Sequence, residues 1–372
     1  MQPPPDYPLV PLPTQPEATP WPTTEWQRST PSDVGADEQQ LNALLDEMFE
    51  QQVHPGIGQT FACGVVARGQ LVAERYGKRV VRDVRAFEPN PPLEDVTAQT
   101  ELLSWSMAKS ITSLAVGVAV SDGHLNVGSP VGEPIWQDGD DPRAKITWED
   151  LLTMRPGLKW EEEYYDLGKE VLPDVVTMLF GDGAKDTGAY AADFELINEP
   201  GTPEAYAYSS GTTNIIAKNL QRLLGLSEQG MRQFLEERIF APTGMSSATA
   251  DFDEAGTFIG SSYVHANLQD WCRFGLVALR GGQWDAQQLV PSDWMDWSRI
   301  ARSWNEGYFH GAHWWAWDDP ETPFGAHGFE GQRVIAFPAR DVVVVRLGHS
   351  GALDGPALNS YLFDIARCFP KL

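Results

Sequence analysis

Ser106-Met107-Ala108-Lys109 places a hydroxyl and an amine three residues apart, a spacing that puts both on one face of a helix. The run beyond it, Ile111, Leu114, Ala115, Val116, Val118, Ala119 and Val120, is apolar almost all round, as in a helix buried inside a large protein. A lysine on such a helix is rarely buried without a partner. A serine with an amine one turn away is what a serine nucleophile requires for acyl transfer. This is the one S-x-x-K in 372 residues, but such a short pattern also arises by chance and needs context.

Two further segments supply context. Tyr208-Ser209-Ser210-Gly211 closes a Gly/Pro-punctuated stretch. A phenol that titrates near pH 10 is a poor base at neutral pH, yet a neighbouring lysine cation would lower its pKa. Ser106, Lys109 and Tyr208 therefore make chemical sense as a set, whereas Tyr208 alone reads as a loop residue. The third segment, Gly325-Ala-His-Gly-Phe-Glu-Gly-Gln332, runs into a strand-like stretch, and glycines there let another group approach the backbone. An N–H near Phe329 and the amide of Ser106 would together supply the two donors that an acyl-transfer oxyanion needs. Alone, this segment reads as a glycine-rich hairpin with a surface histidine.

The three segments, in this order, resemble the serine β-lactamase-like superfamily: class C β-lactamases, D,D-peptidases, family VIII carboxylesterases and 6-aminohexanoate-dimer hydrolases. The family pattern is S-x-x-K, then Y-x-N, then K-T-G or a variant such as H-x-G. Ile146-Thr-Trp-Glu-Asp-Leu-Leu-Thr-Met-Arg-Pro-Gly-Leu158, Pro200-Gly-Thr and Asp270-Trp-Cys-Arg-Phe-Gly-Leu276 are similar to connecting stretches of the family, so the resemblance covers about residues 30–372. It implies an α+β, β-lactamase/transpeptidase-like fold: an antiparallel sheet flanked by helices, with a mostly helical subdomain. It also implies a hydrolase that forms an acyl-enzyme on Ser106 and cleaves a small-molecule ester or amide, with Tyr208 or Lys109 as the base. Gly328, Phe329, His327, Ser210 and the Ser106 amide are the expected oxyanion and substrate-binding groups. Glu161, Glu162 and Glu163 with Tyr164 and Tyr165 read as a polar aromatic loop; that region overhangs the active site in resembling enzymes, so either tyrosine is expected to touch substrate, with a plain surface loop as the alternative. Two departures matter. Ser210 stands where many members carry Asn, and Ala326-His327-Gly328 occupies the K-T-G place without its lysine. A histidine there is only partly charged near neutrality, which favours simpler acyl compounds over penicillins or D-Ala-D-Ala. A β-lactamase, a D-alanyl-D-alanine carboxypeptidase and a non-catalytic binding domain remain alternatives.

Composition narrows the field. A net charge of −25 disfavours nucleic acid and anionic membranes, which are polyanions. No apolar stretch reaches the roughly 18–20 residues of a membrane span. No signal peptide is visible in residues 1–35, so a cytoplasmic location is expected unless a leader was removed. Cys63, Cys272 and Cys368 are odd in number and far apart, which suggests neither a disulfide framework nor a thiolate metal site but buried small hydrophobes. His310 and His313 lack partners at metal spacing, and Asp138, Asp140 and Asp141 lack a full calcium-loop pattern. No cofactor is implied. Gly348-His349-Ser350-Gly351 imitates a nucleophile elbow, but no histidine follows Ser350, as that arrangement demands. The oligomeric state is not legible.

The elements that must position these groups follow from periodicity. Residues 1–35 hold 10 of the 28 prolines and read as an extended arm, with Trp21 and Trp26 as possible anchors. Asp37 caps a helix spaced by Leu41, Leu44, Leu45, Met48 and Phe49. Strands are expected at 61–67, 71–76, 312–317, 333–337 and 341–347, with mostly helical pattern over 146–245, a helix at 267–279 and a closing helix at 358–368. The chain thus divides into an arm (1–35), a sheet domain (36–105 and 265–372) and a mostly helical domain (106–264), with the catalytic cleft between the last two. Trp315 and Trp317 should share a strand face, opposite Trp314.

Overall fold

The computed structural model describes residue 4 and residues 8–80, 92–137, 139–164, 171–305, 307–351 and 355–372. Strands from both ends of the chain build one eight-stranded antiparallel sheet: β1 (Gln59–Ala67), β2 (Gln70–Tyr76), β3 (Ser303–Asn305), β4 (Tyr308–His310), β5 (Trp315–Ala316), β6 (Phe324–Gly328), β7 (Gln332–Phe337) and β8 (Val342–His349). Their spatial order is β3-β4-β5-β6-β7-β8-β1-β2, so the first strand inserts beside the last. The β1–β2 hairpin turns on Arg68 (φ 53°) and Gly69 (φ 76°), the doubly left-handed turn whose twist suits paired strands.

Strand alternation divides the apolar side chains between two faces. Val342 and Val344 of β8 join Val65, Ile335 and Phe337 against α1 (Glu38–Glu50) and α5 (Gly355–Arg367). Val343, Val345 and Leu347 point the other way, into the larger core with α2 (Ala108–Ser121), α3 (Ser210–Leu224) and α4 (Leu268–Leu279). The Asp37 carboxylate accepts from Gln40 N at 3.0 Å, capping α1. Helix α4 lies close on the sheet because Gly275 has no side chain: a Cβ there would sit 2.4 Å from Val343 Cγ1 and 2.8 Å from Val334 Cγ1. All three cysteines are buried and unpaired. Burial raises the Cys63 thiol to about 12, so it behaves as a small apolar group.

One expected strand is shorter than its pattern. Of residues 312–317 only Trp315–Ala316 pair as strand β5. His313 is left-handed (φ 63°), and Ser113 and Ser110 of α2 donate to Ala312 O (3.1 Å) and His313 O (2.6 Å). Those carbonyls serve α2 instead of the ladder, and the contact ties the helix that carries Lys109 to the sheet edge. The three tryptophans still alternate: Trp314 stacks on Phe274 of α4, while Trp315 and Trp317 both pack on His327.

The proline-rich arm is held by arginines as well as tryptophans. Arg299, Arg280 and Arg273 donate to Val10 O, Pro13 O and Pro22 O at 2.6, 3.2 and 2.7 Å. Trp26 is buried and Trp21 packs on Trp284. Further on, Leu71 N donates to Gln27 O at 3.0 Å, which covers the outer edge of β2. Among the described residues no helix is long and apolar enough to cross a membrane.

Candidate active site

Ser106 is presented by a strained turn. Trp105, just before it, is left-handed (φ 46°), a conformation that a bulky residue holds only when its surroundings over-determine it. They do so here. Ser104 N donates to Val264 O at 2.8 Å and Ser104 Oγ accepts from Val264 N at 3.1 Å. The Trp105 ring meets Tyr164, Tyr263 and Phe329 at 5.4–6.2 Å. Ser106 is 8% exposed and lines a cleft of about 470 Å³.

Lys109, one turn into α2, is buried. Its Nζ lies 3.0 Å from Ser106 Oγ, 2.9 Å from Ser210 Oγ and 3.1 Å from Ser261 O. Burial disfavours the ammonium and brings its pKa down from 10.5 to about 8, although the Glu162 carboxylate opposes the shift. The helix thus delivers what its spacing promised, an amine against a serine hydroxyl.

Tyr208 stands beside both groups, but not as expected. Lys109 Nζ faces the Tyr208 ring, 5.0 Å from its centroid. Burial, reinforced by Glu162, pushes the phenol's pKa up, outweighing the lowering effect of its hydrogen-bonding neighbour Ser106. The expected lowering by Lys109 is therefore corrected: a buried phenol next to a carboxylate resists ionisation and stays protonated at neutral pH.

His327 is corrected in the same way. It is buried, stacked on Trp315 at 5.2 Å, and burial next to Arg333 holds its pKa well below 6.5, so the ring is neutral rather than partly charged. Gly328 brings β6 against the Ser106 turn, because a Cβ there would lie 2.2 Å from Ser104 O. Phe329 follows it and stacks on Tyr164 at 4.5 Å. Ser106, Tyr164, Tyr208, His327, Gly328 and Phe329 all line the one cleft. Ser210 caps the far side of Lys109, at the first turn of α3. Tyr165 and Asp138 lie outside the described residues.

Two cleft residues were not singled out by sequence. Glu162 receives Ser210 N (2.8 Å) and Trp160 Nε1 (2.7 Å) on Oε2, and Ser210 Oγ (2.5 Å) on Oε1. As one of three consecutive glutamates, it read as part of a polar loop. Arg333 of β7 is buried in the cleft wall. It donates to Gly328 O, Gln332 O and Asn359 Oδ1, and among the described residues no carboxylate pairs with it. The register that sets it opposite His327 marks the K-T-G-like strand's neighbour, the one signal that could have found it.

The remaining candidates are structural. His313 Nδ1 contacts Leu152 O at 2.7 Å, so it donates, and Nε2 accepts from Thr213 Oγ1 at 2.9 Å. Burial lowers its pKa to about 3. His310 is buried edge-on to Trp315. Ser350 Oγ donates to Ile57 O at 2.8 Å, as a loop brace.

The chain is similar to several known proteins. Over 262 residues it is 23% identical to the 6-aminohexanoate-dimer hydrolase of Paenarthrobacter ureafaciens, spanning 66% of this chain and 65% of that enzyme. A Bacillus anthracis protein provisionally named a 6-aminohexanoate-dimer hydrolase superposes with a TM-score of 0.68 at 20% identity, covering 94% of this chain and 89% of that one. The penicillin-binding protein homologue of Pyrococcus abyssi, an octamer, superposes with a TM-score of 0.63 at 18% identity, covering 88% and 76%. These likenesses show a β-lactamase/transpeptidase-like fold. The family described as Beta-lactamase matches residues 41–366, nearly the whole of the sheet and helical layers described above, and the chain belongs to it.

Proposed function

We propose that the protein is a serine hydrolase that cleaves esters or amides of linear acyl compounds through an acyl-enzyme on Ser106. The observation that carries this reading is the 3.0 Å approach of Lys109 Nζ to Ser106 Oγ, with the lysine brought to about 8 by burial. A base poised near the working pH is the effective one. The neutral amine takes the Ser106 proton as Oγ bonds to the substrate carbonyl carbon, and the carbonyl electron pair moves onto oxygen. The amides of Ser106 and Phe329 stabilise that oxyanion, each worth ~2.7–4 kcal/mol. As the oxyanion collapses, the bond to the leaving group breaks and the protonated Tyr208 phenol supplies its proton. The Tyr208 phenolate then takes back a proton from the Lys109 ammonium, which lies 5.0 Å from its ring centroid, leaving the amine neutral again. Water then attacks the acyl-enzyme, losing its proton to Lys109, which passes it to Ser106 Oγ as the Oγ–acyl bond breaks and the acid departs.

Arg333 and the aromatic walls suggest the substrate: an extended apolar chain ending in a carboxylate, which a buried guanidinium with no acidic partner among the described residues would bind. Linear oligoamides of amino acids have that form, in keeping with the name of the Paenarthrobacter relative. The test is a panel of short p-nitrophenyl esters, linear oligoamides, nitrocefin and a D-Ala-D-Ala peptide, offered to the wild type and to Ser106→Ala. Turnover of esters or linear amides that disappears in Ser106→Ala is expected. Retained turnover in that variant refutes Ser106 as nucleophile, and no acylation by any compound favours a binding domain.

A further inference from the structure

Two hydroxyls face Lys109 Nζ, and a hydroxyl either gives or accepts a proton. A neutral amine offers two N–H bonds and one lone pair. One N–H is committed to Ser261 O, which only accepts, at 3.1 Å. The other N–H and the lone pair are divided between Ser106 Oγ and Ser210 Oγ, at 3.0 and 2.9 Å. Only one division makes Lys109 a base for Ser106; the other spends its lone pair on Ser210.

Glu162 decides between them. Its Oε2 accepts from two groups that can only donate, Ser210 N and Trp160 Nε1, at 2.8 and 2.7 Å. That pins the carboxylate and leaves Oε1 2.5 Å from Ser210 Oγ. Oε1 takes the one proton of Ser210, so Ser210 must accept from Lys109. We propose that Glu162 is a positioning residue that sets the direction of the hydrogen bonds around Lys109, turning the amine's lone pair toward the nucleophile. This rests on the reading of Lys109 as the base. It also accounts for a serine at the Asn place of the family pattern, since serine can relay Glu162's preference.

Glu162→Gln tests the proposal because it is isosteric and reverses the relay. The glutamine carbonyl must occupy the Oε2 place to receive Ser210 N and Trp160 Nε1. Its NH2 then donates to Ser210 Oγ, and Ser210 directs its own proton at the Lys109 lone pair. In E162Q, kcat/KM and the rate of fluorophosphonate labelling should fall about a hundredfold or more, the range of a lost general base. Ser210→Ala removes the misdirected proton, so E162Q/S210A should recover to the level of S210A, within about tenfold of the wild type. A brace that merely supports the loop would give additive losses instead. The proposal is overturned by E162Q within threefold of the wild type, by a double variant no better than E162Q, or by an E162Q that is unfolded at the assay temperature. The unsubstituted protein and Ser106→Ala separate the two claims. Labelling of the first and not the second keeps the serine-hydrolase reading whatever E162Q does, whereas no labelling of either removes both.

Discussion

If Lys109 is the base, the pH dependence of the reaction follows from its burial. The amine acts only when neutral, and burial brings its pKa from 10.5 to about 8. About one tenth of the molecules then hold a neutral amine at pH 7 and about nine tenths at pH 9, so kcat/KM should rise close to tenfold along one limb. The other groups around the amine do not titrate in that window. Burial lowers His313 to about 3 and holds His310 and His327 well below 6.5, while Tyr208 and Tyr164 are raised and burial lowers Arg333 from 12.5 only to about 10. Stability obeys the same sign. Folded Lys109 binds its proton less tightly than the unfolded chain does, so the fold is penalised by about 3 kcal/mol at pH 7, and the penalty fades as pH climbs from 8 past 10.5. The assay is the initial rate on an activated ester from pH 6 to 10, with Ser106→Ala as the blank. Lys109→Arg, which cannot deprotonate, should erase the limb. A flat profile between pH 6.5 and 9, or a midpoint below 7, would refute the assignment.

Two other outcomes follow from the structure. Arg333→Met should raise KM for a carboxylate-terminated amide at least tenfold while leaving its methyl ester within a few fold, and equal effects on both would remove Arg333 from recognition. Gly275→Ala should cost about 1–3 kcal/mol, because the new Cβ would lie 2.4 Å from Val343 Cγ1; an unchanged urea midpoint would show that helix and sheet separate without cost.

The features most legible in the sequence are local ones. The Ser106–Lys109 spacing needs only one turn of helix, and the alternation of Val342 to Val345 assigns two sheet faces directly. Asp37 caps where its type says it should. What was misread depends on distant burial. Tyr208 and His327 have ordinary pKa values as isolated side chains, and only the closed cleft moves one up and the other down. Glu162 meets Ser210 48 residues away, a contact without any local pattern. The β5 strand is short because serines of α2 claim its carbonyls, which strand periodicity cannot encode.

The most direct measurement is the intact mass of the protein after brief mixing with a slowly hydrolysed ester or linear amide, followed by peptide mapping. The account predicts a transient mass increase equal to the acyl group, located on Ser106 and absent from Ser106→Ala. Turnover with no such adduct at any time, or an adduct on another residue, would contradict it.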